Sequence, residues 1–200
     1  MVIIRRYDMP TSVFMELSEE KKERVLSAAL DEFASNRFDN ASTNAIVKNA
    51  GISKGSLFKY FENKEDLYFY LIDTVSARMG AQMAGKTGDL PADVYDRIIA
   101  YSSLEINYYL EHPTEGRLLT NFASERDNDI AAKIEERYGD TSKASYEQLM
   151  AGTGLDKNKT DILKWVLEGF NKDFLTRGGT AEEYVKELGM YLGMLREGLI

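Results

Sequence analysis

Lys54, Gly55, Ser56 and Lys59 stand where one turn of a helix would present them together. The set offers two ammonium groups, a hydroxyl and a residue with no side chain. Lysines neutralise phosphate oxygens, hydroxyls bond to phosphates or base edges, and a glycine lets the backbone come close to a duplex. Ser42 and Thr43 place two further hydroxyls at the start of a second short helical stretch, and Lys48 lies on the same stretch. The chemistry this suits is non-covalent recognition of a nucleic acid. The same spacing also fits an ordinary surface helical hairpin with a solvated lysine face.

Such residues must be held by rigid elements. Residues 43–49 read as a helix, capped by Ser42 or Thr43, with Ala45, Ile46 and Ala50 as its apolar side. Gly51 falls where a helix end favours a left-handed residue, and Ile52 fills the angle that follows. Ser53 is placed to cap a second helix over residues 54–60, with Leu57, Phe58 and Phe61 turned inward. Two helices joined by a short turn containing glycine form a helix-turn-helix, whose second helix enters a major groove. Upstream, residues 19–35 form an amphipathic helix, with Val25, Leu26, Ala29, Leu30 and Phe33 at helical spacing. It is expected to close a three-helix unit against Ile46, Leu57 and Phe61, with Phe38 plugging the turn. Asn63 is positioned to cap a fourth helix running to about residue 84.

The run GISKGSLFKYFENKEDL resembles the signature of the TetR (tetracycline-repressor-like) family of bacterial transcription regulators, and the upstream run EEKKERVLSAALDEFASNRFDNASTNAIVKNA resembles the first helix of the same domain. The resemblance covers residues 19–70; beyond that it is one of architecture. It implies phosphate contacts at Thr43, Tyr60 and Lys64. It implies a groove-facing turn of Lys54, Gly55, Ser56 and Lys59, with Ser42 and Lys48 as weaker candidates. It also implies a homodimer on a palindromic double-stranded DNA operator, a small-molecule effector bound in a helical body, and action as a repressor.

The charge of the chain, −8 overall, argues against DNA until it is divided. Residues 1–70 hold 10 Lys and Arg against 11 Asp and Glu, and residues 71–200 hold 15 against 22. Residues 37–64 hold five basic side chains against two acidic, so the helix-turn-helix is a positive island. Local field at the contacting face matters more than the total. The chain has no cysteine and a single histidine. That removes disulfides, thiolate metal sites and His-based relays, and leaves no nucleophile–base pattern, so neither enzyme, metal site nor cofactor is assigned. No stretch of about 20 apolar residues is present to span a membrane. A cytoplasmic protein is expected. Met9-Pro10 resembles how family members begin, so residues 1–8 are either an extension or a longer natural terminus. Arg5 and Arg6 form either a minor-groove arm or a disordered tail.

The rest of the chain reads as helices throughout, about nine in all, giving an all-α class. The expected division is an N-terminal arm over residues 1–18, a DNA-binding domain over 19–65, and a ligand-binding and dimerisation domain over 66–200. Tyr101, Glu105, Tyr108, Tyr109, Phe122, Tyr138 and Trp165 are the candidate effector contacts, although aromatics at this spacing equally serve a core. Asn107 and Asn121 are further polar candidates. Trp165, Phe170, Phe174, Leu188, Tyr191, Leu192 and Leu195 lie on the last two helices and are the candidate dimer interface, with Gly189 and Gly193 letting a partner helix approach. The alternative is that these helices complete the monomer core. His112, before Pro113, is assigned a helix C-cap. A ligand-independent architectural DNA-binding protein is the rival function.

Overall fold

The computed structural model describes residues 10–88, 90–126 and 128–199, for Leu199 the backbone alone. Arg5, Arg6 and Met9 lie outside the described residues. Ten α-helices and one 3-10 turn account for the regular structure, with no strand among the described residues. They are α1 (Ser12–Met15), α2 (Glu19–Ser35), the 3-10 turn (Phe38–Asn40), α3 (Thr43–Ala50), α4 (Lys54–Tyr60), α5 (Lys64–Met83), α6 (Val94–Glu111), α7 (Pro113–Ala123), α8 (Asp129–Leu149), α9 (Lys157–Arg177) and α10 (Ala181–Leu199).

The chain forms two compact units. The first is Met1–Arg78 with Pro113–Ile130, and the second is Met79–His112 with Ala131–Ile200. Neither is a continuous segment.

In the first unit α2 packs on α3 and on α7, and α1 packs on α4. Val25, Ala29 and Phe33 of α2 are fully buried, as are Ile46 of α3, Leu67 of α5 and Leu118 of α7. The additional helix relative to the expected nine is α1. Its Thr11 cap accepts the Phe14 N–H at 3.4 Å, and Phe14 is completely buried against Phe61, with ring centroids 4.9 Å apart. Residues 11–17 lack periodicity because one buried ring per turn leaves no repeating pattern. Phe38 does plug the turn after α2, its ring tilted against that of Tyr68 with centroids 5.1 Å apart.

In the second unit α10 packs on α6 and α9. Val94, Tyr95, Ile98, Ile106, Leu163, Phe170, Phe174, Tyr184, Leu188 and Leu192 make its core. Phe170, Phe174, Leu188 and Leu192, assigned to a dimer face from sequence, are therefore buried within the single chain. A Cβ at Gly189 would lie 3.8 Å from the Ile99 side chain, an ordinary contact, so the packing of α10 on α6 does not require glycine there. Helix α8 runs unbroken through Gly139. Helix α9 starts a turn earlier than its apolar pattern, because Asp156 caps it by accepting the Lys159 N–H at 3.0 Å. Thr180 and Glu183 form a capping box on α10: Thr180 accepts the Glu183 N–H, and Glu183 accepts the Thr180 N–H at 2.8 Å. His112 is the C-cap of α6, its N–H donating to the Tyr108 carbonyl at 2.8 Å.

Candidate nucleic-acid interface

Helices α3 and α4 owe their mutual angle to Gly51. It sits at φ 64°, ψ 37°, and the following Ile52 N–H reaches back to the Val47 carbonyl at 3.0 Å. This is the Schellman closure, and an L side chain at that φ is strained. Ser42 caps α3 by accepting the Ala45 N–H at 3.4 Å. Ser53 caps α4 by accepting the Ser56 N–H at 3.0 Å, and the two serine hydroxyls are 2.9 Å apart.

The outer face of α4 carries Lys54, Gly55, Phe58 and Lys59, all exposed, with Ser56 half-buried beside them. Phe58 corrects the expectation that it turns inward. It is 42% exposed, because Leu57, Tyr60 and Phe61 already fill the side of α4 that meets the core. At α3, Ser42, Asn44 and Lys48 are exposed and Thr43 is half-buried. A Cβ on Gly55 would meet only the Ser53 hydroxyl, at 3.9 Å, so nothing within the chain requires glycine there.

Two expected phosphate contacts are occupied inside the protein. Tyr60 is 4% exposed, its ring 5.9 Å from that of Phe14. The Lys64 ammonium donates to the Phe38 carbonyl at 2.7 Å and the Ala41 carbonyl at 3.2 Å, and lies over the Phe38 ring. One N–H of its three is left for another acceptor. Thr11 is a positioning group the sequence did not suggest. Its hydroxyl donates to the Lys59 carbonyl at 2.7 Å and its N–H to the Tyr60 carbonyl at 3.0 Å, so it closes the C-terminus of α4. Its partners are 48 and 49 residues away, beyond any local pattern.

Of the effector candidates, the structure brings together Tyr101, Glu105 and Tyr109, four apart along α6, with Tyr184 of α10 near enough to feel the Glu105 charge. Burial pushes the Glu105 carboxyl up to about 7, although part of its surface remains accessible. The Tyr101 hydroxyl is pushed up to about 12 by burial and then by the Glu105 charge. Tyr109 is raised by burial first and Glu105 second. Tyr108 is buried and packs on the His112 ring at 4.6 Å. Tyr138 is half-buried on α8 beside Arg137. Phe122 belongs to the first unit, packed on Tyr68, and Trp165 is 67% exposed on α9. Asn121 is also in the first unit, where it donates to the carbonyls that end α2. No group of His, Cys, Asp and Glu suited to a metal ion occurs among the described residues. None of the described helices is long and apolar enough to cross a membrane.

An exposed, cationic second helix held against a short capped partner by a left-handed glycine defines an all-α helix-turn-helix protein. Residues 25–71 match the model of the bacterial regulatory proteins of the tetR family. The chain is 37% identical over 60 residues to the helix-turn-helix regulator YdgC of Bacillus subtilis, covering 30% of this chain and 31% of that protein. It is 32% identical over 66 residues to the fatty acid metabolism regulator protein of the same organism, covering 33% and 32%. These matches span about a third of the length of either curated relative. Over its whole length the fold is similar to that of a TetR family regulator from Chloroflexus aurantiacus, at a TM-score of 0.67 and 24% identity, covering 95% of this chain and 98% of that one. Residues 25–71 are thus similar to the helix-turn-helix segment of the tetR family of regulators, and the whole-length likeness, at 24% identity, is one of fold.

Proposed function

We propose that this chain acts in the cytoplasm as a homodimeric repressor that binds a palindromic operator and is released by a small, largely apolar or aromatic effector. The observation that carries the DNA-binding part is the outer face of α4. It presents two lysines and a replaceable glycine on a protein whose net charge is −8. Lys54, Gly55, Ser56 and Lys59 lie against the major groove, with Phe58 placed to meet a thymine methyl. Ser42 and Thr43 approach the backbone at the start of α3, where helix N–H groups favour a phosphate. Lys64 contributes to a phosphate only through its remaining N–H. Tyr60 serves mainly by packing.

Dimerisation rests on the exposed apolar side chains of the last two helices: Trp165 at 67%, Met194 at 61%, Met190 at 50% and Tyr191 at 41%. Leu195 is half-buried beside them, while Phe170, Phe174, Leu188 and Leu192 support that face from within. Two copies would read half-sites about 34–36 Å apart or a multiple of that. The effector site is assigned to Tyr101, Glu105 and Tyr109, where rings surround a carboxyl poorly compensated by its neighbours. By linkage, an effector that weakens DNA binding must itself bind less tightly to the DNA complex.

The test is selection of duplexes from a random pool by the full chain, followed by affinity measurements over a range of salt. A palindromic consensus is expected. Lys54→Ala or Lys59→Ala should lower affinity, and one that contacts a phosphate should reduce the salt slope by about 1. Recovery of no enriched sequence would overturn the reading.

A further inference from the structure

Glu125 carries the most deeply buried ion-paired carboxylate among the described residues, its side chain 1% exposed. Its Oε2 accepts from the Arg37 guanidinium at 3.1 Å and from Asn128 Nδ2 at 3.0 Å, and its Oε1 accepts the Phe38 backbone N–H at 3.0 Å. The Arg37 guanidinium also donates to the Ser124 carbonyl. Asn121 Nδ2 donates to the Phe33 and Ala34 carbonyls at 3.0 and 3.2 Å, closing the last turn of α2. From the other side Lys64 holds the Phe38 and Ala41 carbonyls. All these groups belong to the first unit.

What they grip is the end of α2 and residues 37–41, the segment that leads directly into the Ser42 cap of α3. A buried carboxylate is a poor way to gain stability, since a well-packed hydrocarbon of the same size does as well. Its particular property is directional: it accepts several hydrogen bonds at once and so sets the geometry of its donors. The donors here are a side chain and a backbone N–H of the turn that aims the helix-turn-helix.

We propose that Glu125 is a positioning residue for DNA recognition, and that its grip on Arg37 and Phe38 makes the segment Pro113–Ile130 part of the DNA-reading unit. This rests on the DNA-binding reading given above. Because Glu125 touches no DNA, its contribution is the angle at which α3 and α4 are presented. Electrostatics alone gives the opposite sign, since loss of one negative charge strengthens attraction to phosphates.

The experiment compares wild type, Glu125→Gln, Arg37→Gln and the double variant in the full chain. Each is measured against the duplex selected by wild type and an unrelated duplex of equal length, with hydrogen exchange of the Phe38 and α3 amides followed in parallel. Glu125→Gln is expected to lose roughly 5- to 150-fold in affinity for the selected duplex, the usual range of a coupling between sites. Binding to the unrelated duplex should hold or rise, and the double variant should be no weaker than Arg37→Gln alone. Exchange at Phe38 and α3 should quicken. Equal or tighter binding of the selected duplex by Glu125→Gln overturns the proposal, as does additivity with Arg37→Gln. Should wild type select no duplex, the DNA-binding reading fails, and the exchange data alone decide whether Glu125 orders α3. If Glu125→Gln does not fold, Asn128→Ala, at the edge of the same carboxylate, is measured in its place with the same expected direction.

Discussion

Gly55 and Glu105 show how one residue separates fold from function. A Cβ at Gly55 meets nothing closer than 3.9 Å, and the residue lies inside a helix. Gly55→Ala is therefore expected to leave the unfolding free energy unchanged or raise it by up to about 1 kcal/mol, from helix propensity. Affinity for the selected duplex should fall, because the methyl group faces outward from α4. Denaturant unfolding and duplex titration on one preparation check both halves, and a loss of stability would return the glycine to a structural role. Glu105 is a titration problem. Burial pushes its carboxyl from 4.5 to about 7 in the folded chain, amid Tyr101, Tyr109 and Tyr184. The folded state then holds the proton more tightly than the unfolded chain does. This group's stabilising contribution is intact below about pH 4.5 and is lost as pH rises through about 7, a change on the order of 3 kcal/mol. Unfolding curves at pH 5 and pH 8 should show that fall in wild type and a flatter response in Glu105→Gln. Parallel slopes would place the pH dependence elsewhere.

At the scale of elements, the helix-turn-helix is braced from both ends of the chain segment that carries it. Helix α1 closes the end of α4 through Thr11 and fills the core beneath it with Phe14. The end of α7 and the residues after it hold the turn before α3. Phe14→Ala is expected to cost about 3–5 kcal/mol of stability, the range for a buried ring, and to weaken DNA binding with it. A cost under about 1 kcal/mol would mean that α1 is a loose arm. The patterns of α2, α3 and α4 are legible in the sequence because each element is periodic or capped by residues adjacent to it. Helix α1 and the Glu125 grip are not, since the former is a single turn and the latter joins residues 87 and 88 positions apart.

For the molecule as a whole, the question is what covers α9 and α10. A tryptophan at 67% exposure with Tyr191, Met190 and Met194 also open is an apolar surface that a second copy would remove from water. Trp165→Glu with Tyr191→Glu is expected to halve the mass found by light scattering while leaving the helical circular dichroism intact. The resulting monomer should bind a half-site weakly and lose the added affinity of a palindrome. A variant that keeps the wild-type mass would move the interface off these helices.

The sequence by itself determined the all-α class, the helix-turn-helix and its caps, and the residues placed on the outer turn of α4. Those features depend on period, on cap chemistry and on glycine at one φ, all of which act within a few residues. Only the tertiary structure decided which member of a mixed face is buried. Phe58 turns out while Tyr60 turns in, Lys64 bonds to carbonyls of the chain, and Phe170, Phe174, Leu188 and Leu192 fill the core of their own unit. Helical spacing states which side chains share a face and leaves open what that face meets. Packing and charge pairing across long sequence separations settle it, as they do for Glu125.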